Sequence, residues 1–194
     1  MHRLVSRILP AAAVALALAP GWVEGQAPRY TPADVAFMQG MIAHHAQALE
    51  MVALVPERTT TESIRVLAQR IDISQRDEIR LMRSWLTERG QAAPDPAAPH
   101  GHHADGRHEM LMPGMLTGEQ MARLGGAKGA EFDRLFLQLM IQHHQGALTM
   151  VKTLFGTQGA AQETPTFRYA SGVDTDQRFE IDRMQKLLAR ETRP

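Results

Sequence analysis

The stretch Phe37-Met38-Gln39-Gly40-Met41-Ile42-Ala43-His44-His45-Ala46-Gln47-Ala48-Leu49-Glu50-Met51-Val52 is written a second time, 99 residues on, as Phe136-Leu137-Gln138-Leu139-Met140-Ile141-Gln142-His143-His144-Gln145-Gly146-Ala147-Leu148-Thr149-Met150-Val151. Both copies place apolar side chains at the three- and four-residue spacing of an amphipathic helix. Both also keep Met41-x-x-His44-His45 with Met51 downstream, answered by Met140-x-x-His143-His144 with Met150. Asp34 and Asp133 precede the two blocks at the same offset. Helix packing asks for hydrophobes at regular spacing; it does not ask for two imidazoles and two thioethers at fixed places. The repeat therefore predicts two equivalent helices, each carrying nitrogen and sulfur donors.

The flanking residues extend each block to a hairpin. Thr31-Pro32-Ala33-Asp34 predicts a helix start, with Thr31 as N-cap, Pro32 at the first helical position and Asp34 adding favourable charge. Pro56 is expected to stop this helix near Val55. Thr59-Thr60-Thr61-Glu62 predicts a capping box for a second helix, which carries Ile64, Leu67, Ile71, Ile79, Met82 and Leu86 and ends near Gly90. Thr117-Gly118-Glu119-Gln120 predicts a short helix ending at Gly125-Gly126. A third long helix is expected from Ala130 to Phe155 and a fourth from Thr166 to Arg190. Gln75, Glu78, Ile79, Met82 and Leu86 return on the fourth helix as Gln177, Glu180, Ile181, Met184 and Leu188. The duplicated unit is thus a helix pair, and two such pairs pack most simply as a four-helix bundle. No alternating strand pattern competes, so the fold class is all-α. The hairpins fall at residues 31–90 and 117–191 of a single domain over residues 28–194.

Outside the hairpins the composition narrows the field. Arg3 and Arg7 precede an apolar run from Ile8 to Ala19, with small residues near Gly25 and Ala27, the pattern of a secretory signal over residues 1–27. The run is about 12 residues, short of the ~20 that span a bilayer, so an exported protein without stable membrane insertion is expected. Basic and acidic residues balance at 21 each, which gives no support to nucleic-acid or membrane-surface binding. There is no cysteine, so no disulfide, no thiolate ligand and no lipid anchor at such a residue. Between the hairpins, residues 91–116 hold Pro94, Pro96, Pro99 and Pro113, a linker composition. The same segment carries His100, His102, His103, His108, Met110, Met112 and Met115, a candidate surface collector of metal ions or a plain tether.

A helix advances about 100° per residue, which puts His44 about 60° to one side of Met41 and His45 about 40° to the other. Met51 falls near His44, and Asp34 falls between Met41 and His45. Phe37, Ala48, Val52 and Val55 share this face, so the His pair points inward. The same holds for Asp133, Met140, His143, His144 and Met150. On the partner helices, Gln75, Glu78 and Met82 form an i, i+3, i+7 stripe, repeated by Gln177, Glu180 and Met184. A carboxylate in an apolar stripe needs a partner. Glu78 and Glu180 can each accept a hydrogen bond from an imidazole, fixing its tautomer, or ligate a metal directly. Asp34 and Asp133 read first as caps or arginine partners and second as ligands. The methionines, Met82 and Met184 included, serve equally as flexible core filler.

Thioether with imidazole is a soft donor set that favours Cu(I), and imidazole with carboxylate also holds Cu(II). Zinc gains little from the methionines. A di-iron carboxylate centre needs Glu-x-x-His pairs, which this chain lacks. No cysteine nucleophile, Gly-rich phosphate loop, Gly-x-Ser-x-Gly elbow or Cys-x-x-Cys-His appears.

The motifs Met41-Ile42-Ala43-His44-His45, Gln75-x-x-Glu78-Ile79-x-x-Met82-x-x-Trp85-Leu86, Met112-Pro113-Gly114-Met115 and Phe132-Asp133-x-x-Phe136-Leu137-x-x-Met140-Ile141-x-His143-His144-x-Gly146-Ala147 together resemble the bacterial family called domain of unknown function 305 (DUF305). The resemblance runs from about Thr31 to Arg190. It implies a ferritin-like helical bundle outside the cytoplasm, and its relatives include exported copper-binding proteins implicated in copper tolerance. On that basis Met41, His44, His45, Met51, Met140, His143, His144 and Met150 are the expected ligands, with copper as the ion. Ser171-Gly172 stands where the second helix has Gln69-Arg70, a departure that puts the equivalence of the two halves in doubt. The expected function is copper buffering or carriage without catalysis. A metal-free bundle with a His/Glu/Met polar core, and a redox enzyme with an open copper or iron position, are the alternatives. Sequence leaves oligomeric state and any copper-delivery partner open.

Overall fold

The computed structural model describes residues 30–97 and 111–191; the signal segment and His100, His102, His103, His108 and Met110 lie outside the described residues. Helix α1 spans Pro32–Ala53, α2 Val55–Arg58, α3 Glu62–Glu88, α4 Gly118–Gly126, α5 Gly129–Gly156 and α6 Thr164–Glu191. No strand occurs among the described residues. The protein is an all-α bundle whose four long helices are α1, α3, α5 and α6. No helix among the described residues is long and apolar enough to cross a membrane.

Local chemistry sets the starts of α1 and α4. Thr31 caps α1: its hydroxyl accepts from the Asp34 amide, while the Asp34 carboxylate accepts from the Thr31 amide at 2.6 Å. Thr117 and Gln120 build the same reciprocal box at the start of α4. α1 ends at Ala53, close to the expected stop, and Pro56 lies in the first turn of the separate short helix α2, where its missing N–H leaves no hydrogen bond unmade. One expectation needs correction. The capping box expected from Thr59 and Glu62 is not formed: Thr61 is the N-cap residue of α3 and makes no side-chain capping bond, while its hydroxyl donates to Asp133. α6 runs unbroken through Ser171-Gly172, and a Cβ on Gly172 would meet open space.

α1 packs on α3 and on α5, and α6 packs on α5. α1 and α5 are antiparallel, joined by a latch at each end. At one end Asp34 Oδ1 accepts from the amide of Ala161, in the turn after α5, at 2.7 Å. At the other, Asp133 Oδ2 accepts from Thr61 Oγ1, in the turn before α3, at 2.5 Å. Each hairpin thus holds the other's turn through its own aspartate. Ala161 takes φ 55 to present its amide, a left-handed conformation uncommon for alanine.

Two apolar clusters flank the α1–α5 crossing. One contains Phe132, Phe136, Ile64, Leu67 and Ile71; the other contains Phe37, Ile42, Ile79, Trp85 and Leu86. Full burial of side chains of this size contributes roughly 1.5–3 kcal/mol each. Where α3 faces α6 a groove of about 400 Å³ remains, lined by Met38, Met82, Trp85 and Tyr169 among others.

Candidate functional site

His44, His45, His143 and His144 are all 0% exposed. The helical phase that buries Phe37 and Met41 on α1, and Phe136 and Met140 on α5, turns both His pairs inward. At the crossing of α1 and α5 the rings of His44 and His143 lie 3.8 Å apart, centroid to centroid, inclined at 39°. The two outer rings turn away to the partner helices. His45 Nε2 is 2.5 Å from Glu78 Oε2 on α3, and His144 Nε2 is 2.6 Å from Glu180 Oε2 on α6.

The inner rings bond to backbone. His44 Nε2 donates to the Pro113 carbonyl at 3.0 Å, and His143 Nε2 donates to the His44 carbonyl at 3.0 Å. A carbonyl only accepts, so Nε2 carries the proton in both rings and Nδ1 is left with a bare lone pair. Burial, reinforced by the neighbouring His45, pushes His44 from 6.5 down to about 3. Burial, then the adjacent His44, pushes His143 well below the ordinary range as well. Both inner rings are therefore neutral near pH 7. The Nδ1 atoms of all four histidines are buried without a hydrogen-bond partner among the described residues. A neutral imidazole whose other nitrogen is held by an oxygen acceptor is the form that ligates a metal.

The thioethers divide across the hairpins. Met41 and Met82 share a cluster with Met38, and the half-buried Met150 packs against it. Met51, Met140 and Met184 belong to the other cluster. Under the repeat Met41 matches Met140, Met82 matches Met184 and Met150 matches Met51. Each cluster thus takes two repeated methionines from one hairpin and one from the other, which separates Met41 from Met51 and Met140 from Met150. Asp34 and Asp133 are engaged in the latches; Asp34 also accepts from Thr31 Oγ1, and Asp133 Oδ1 has no partner among the described residues. Among the described residues no three His, Asp or Glu side chains converge as a metal-holding group. The donors on offer are Nδ1 nitrogens and sulfur.

Met112 and Met115 sit in a strap over residues 112–116 that covers the crossing. A turn closes it, with the Met115 amide on the Met112 carbonyl at 3.1 Å and Gly114 at φ 75. Gln47, buried on α1, grips the strap twice: its Oε1 accepts from the Leu116 amide at 2.7 Å and its Nε2 donates to the Leu116 carbonyl at 2.9 Å. On α5 the strap lies directly on Gly146, where an added Cβ would stand 1.9 Å from the Pro113 carbonyl oxygen. Gln47 and Gly146 occupy the same repeat position, and Gly40 is answered by Leu139. Sequence reasoning passed over Gly40, Gln47 and Gly146, although their disagreement between otherwise matching copies was visible. It also passed over Asp176, which desolvation, then Glu78 and Glu180, hold above the usual carboxylate range.

Four buried imidazoles at the crossing of two repeated hairpins define a duplicated helical bundle with an inward donor set. The chain belongs to the DUF305 family, a domain of unknown function whose signature matches residues 34–188. A DUF305 fragment from Deinococcus radiodurans has the same fold, with a TM-score of 0.69 and 36% identity over 84% of this chain and 99% of that one. CopM in its Cu(II)-bound form superposes with a TM-score of 0.64 at 24% identity, over 81% of this chain and 96% of CopM. The uncharacterized protein L153 of Acanthamoeba polyphaga mimivirus is 43% identical over 56 residues; the match spans 29% of this chain and 37% of that protein.

Proposed function

We propose that the protein is an exported copper-binding protein that buffers or carries copper without catalysis. The observation that carries this reading is the set of four buried Nδ1 atoms without hydrogen-bond partners, two of them on rings that are neutral lone-pair donors. Burying a polar nitrogen unpaired costs about 1–3 kcal/mol, so four such atoms around one crossing call for a purpose. Glu78 and Glu180 hold His45 and His144 through Nε2 and so fix the tautomer and orientation of each ring, as carboxylates do behind metal-bound imidazoles. Met41, Met51, Met140 and Met150 add thioethers, which favour Cu(I) over zinc or iron. CopM, which shares the fold, has been solved with Cu(I), Cu(II) and silver. The linker residues His100, His102, His103 and His108, with Met110 and Met112, collect ions at the surface; Met115, which is buried, is not part of this collector.

Titration of the protein with Cu(I) and Cu(II) against competing chelators tests the reading. Joint replacement of His44, His45, His143 and His144 by Ala should abolish tight Cu(I) binding. Unchanged affinity in that variant, checked for helicity by circular dichroism, would sink the buried site. Binding lost only on deleting residues 100–110 would move the function to the linker.

A further inference from the structure

A glycine inside a helix costs roughly 0.5–1 kcal/mol relative to alanine, so each one in α1 and α5 calls for a local reason. Gly146 has its reason in the strap's backbone. Gly40, near the middle of α1, has a different one. A Cβ there would stand 3.3 Å from Met112 Sδ on the strap and 3.3 Å from Met150 Cε on α5. Two thioether side chains, from separate elements, end over one bare patch of helix.

Their exposure sets them apart from the methionines of the core. Met38, Met41, Met51, Met82, Met140 and Met184 are at most 1% exposed, whereas Met112 and Met150 are half-buried and reach both solvent and interior. Their position relative to the imidazoles is also fixed. His44 stands one helical turn on from Gly40, on the same side of α1. The strap residue after Met112 supplies the carbonyl that His44 Nε2 bonds. Met112 is held over this point by a strap pinned through Gln47 and laid on Gly146. The second repeat cannot build the same feature, because Leu139 replaces Gly40 and fills the gap.

We propose that Met112 and Met150 form an outer thioether site that receives a soft monovalent ion, Cu(I) or Ag(I), at the rim of the buried imidazoles, with Gly40 as the gap that lets the two side chains meet. Thioethers bind such ions without a proton to displace and discriminate against zinc, magnesium and calcium. The site gives the ion a first foothold beside His44 and raises its local concentration there. It rests on the reading that the histidines are the final destination.

The test is a titration of the purified protein, labelled with ¹³C at the methionine methyls and ¹⁵N at histidine, with silver nitrate as a redox-inert probe. The Met112 and Met150 methyl resonances should shift together within the first equivalent of Ag(I). In stopped flow, the Met112→Leu/Met150→Leu variant should load the histidines severalfold more slowly, because the local concentration of the ion beside His44 falls. Gly40→Ala should also slow loading while its midpoint in urea holds or rises, because the helix gains propensity as the thioethers are pushed apart. Methyl resonances that stay in place while Ag(I) binds would overturn the proposal, as would wild-type loading rates in the double variant. Methyl shifts without any change at the histidine nitrogens would keep the outer site and refute the buried one.

Discussion

The two hairpins agree where the imidazoles are and disagree where the strap lies. His45 with Glu78 and His144 with Glu180 are the same arrangement built twice, at 2.5 and 2.6 Å. Gln47 against Gly146, and Gly40 against Leu139, are the same positions put to different uses. In the first hairpin the position holds an amide that grips the strap; in the second it holds nothing, so that the strap's backbone can rest on the helix. One strap cannot serve two equivalent faces. The sequence divergence of the repeats is the imprint of that single added element on a symmetric frame.

The largest expected effect comes from removing the vacancy. Gly146→Ala drives a methyl into the Pro113 carbonyl and should cost about 3 kcal/mol in urea denaturation. The counterpart Gln47→Ala strips both partners from Leu116 and should cost about 2 kcal/mol. Equal tolerance of alanine at both positions would break the asymmetry argued here.

The latches offer a second contrast. Asp34 spends both oxygens, on Thr31 and on Ala161, whereas Asp133 spends one, on Thr61. Asp34→Ala should therefore destabilise by about 2–3 kcal/mol and Asp133→Ala by about half as much, by the same denaturation measurement. A reversed order would show that the unpartnered Asp133 Oδ1 is supported by something other than the protein.

How much of this was legible beforehand follows the physics of each feature. The bundle and the inward histidines were readable because Phe37, Met41, His44 and His45 obey a period that any helix imposes. The capping at Thr31 and Thr117 was readable because it is chemistry within four residues. The capping box expected over Thr59-Thr60-Thr61-Glu62 does not form, and the bond that Thr61 makes instead reaches Asp133, 72 residues away. The regrouping of Met51 with Met140 and Met184 was out of reach for a similar reason: the crossing of α1 and α5 decides it, not the spacing along either helix.

Acid should act on the inner rings. The folded value of His44 is lowered to about 3 from 6.5, and that of His143 is lowered too, so below pH 6.5 the unfolded chain binds more protons than the folded one. Their contribution to stability is complete above pH 6.5 and is lost as the pH falls toward about 3. Each ring should steepen the loss by up to about 1.4 kcal/mol per pH unit in the metal-free protein. Denaturation of His44→Gln and His143→Gln across this window should show a shallower slope for each. A slope unchanged in both variants would mean that the two rings are not held neutral.

The smallest effect is a gain. Gly172→Ala, on an exposed and unobstructed turn of α6, should raise stability by about 0.5–1 kcal/mol, the opposite sign from Gly146→Ala. Thermal melts of the two variants side by side sharpen the distinction between a glycine that makes room and one that does not.

The exchange of aspartates between hairpins carries a kinetic consequence. The Asp34–Ala161 bond spans 127 residues and the Asp133–Thr61 bond spans 72. Neither can close until both hairpins have been made and have met, so these bonds belong to the late, slow part of folding. They also tie the fates of the halves together: peeling α5 and α6 away opens the turn that Asp34 holds and frees Thr61 at once. The protein should come apart in a single event, and an ion at the α1–α5 crossing would leave an intact bundle rather than a half-open one.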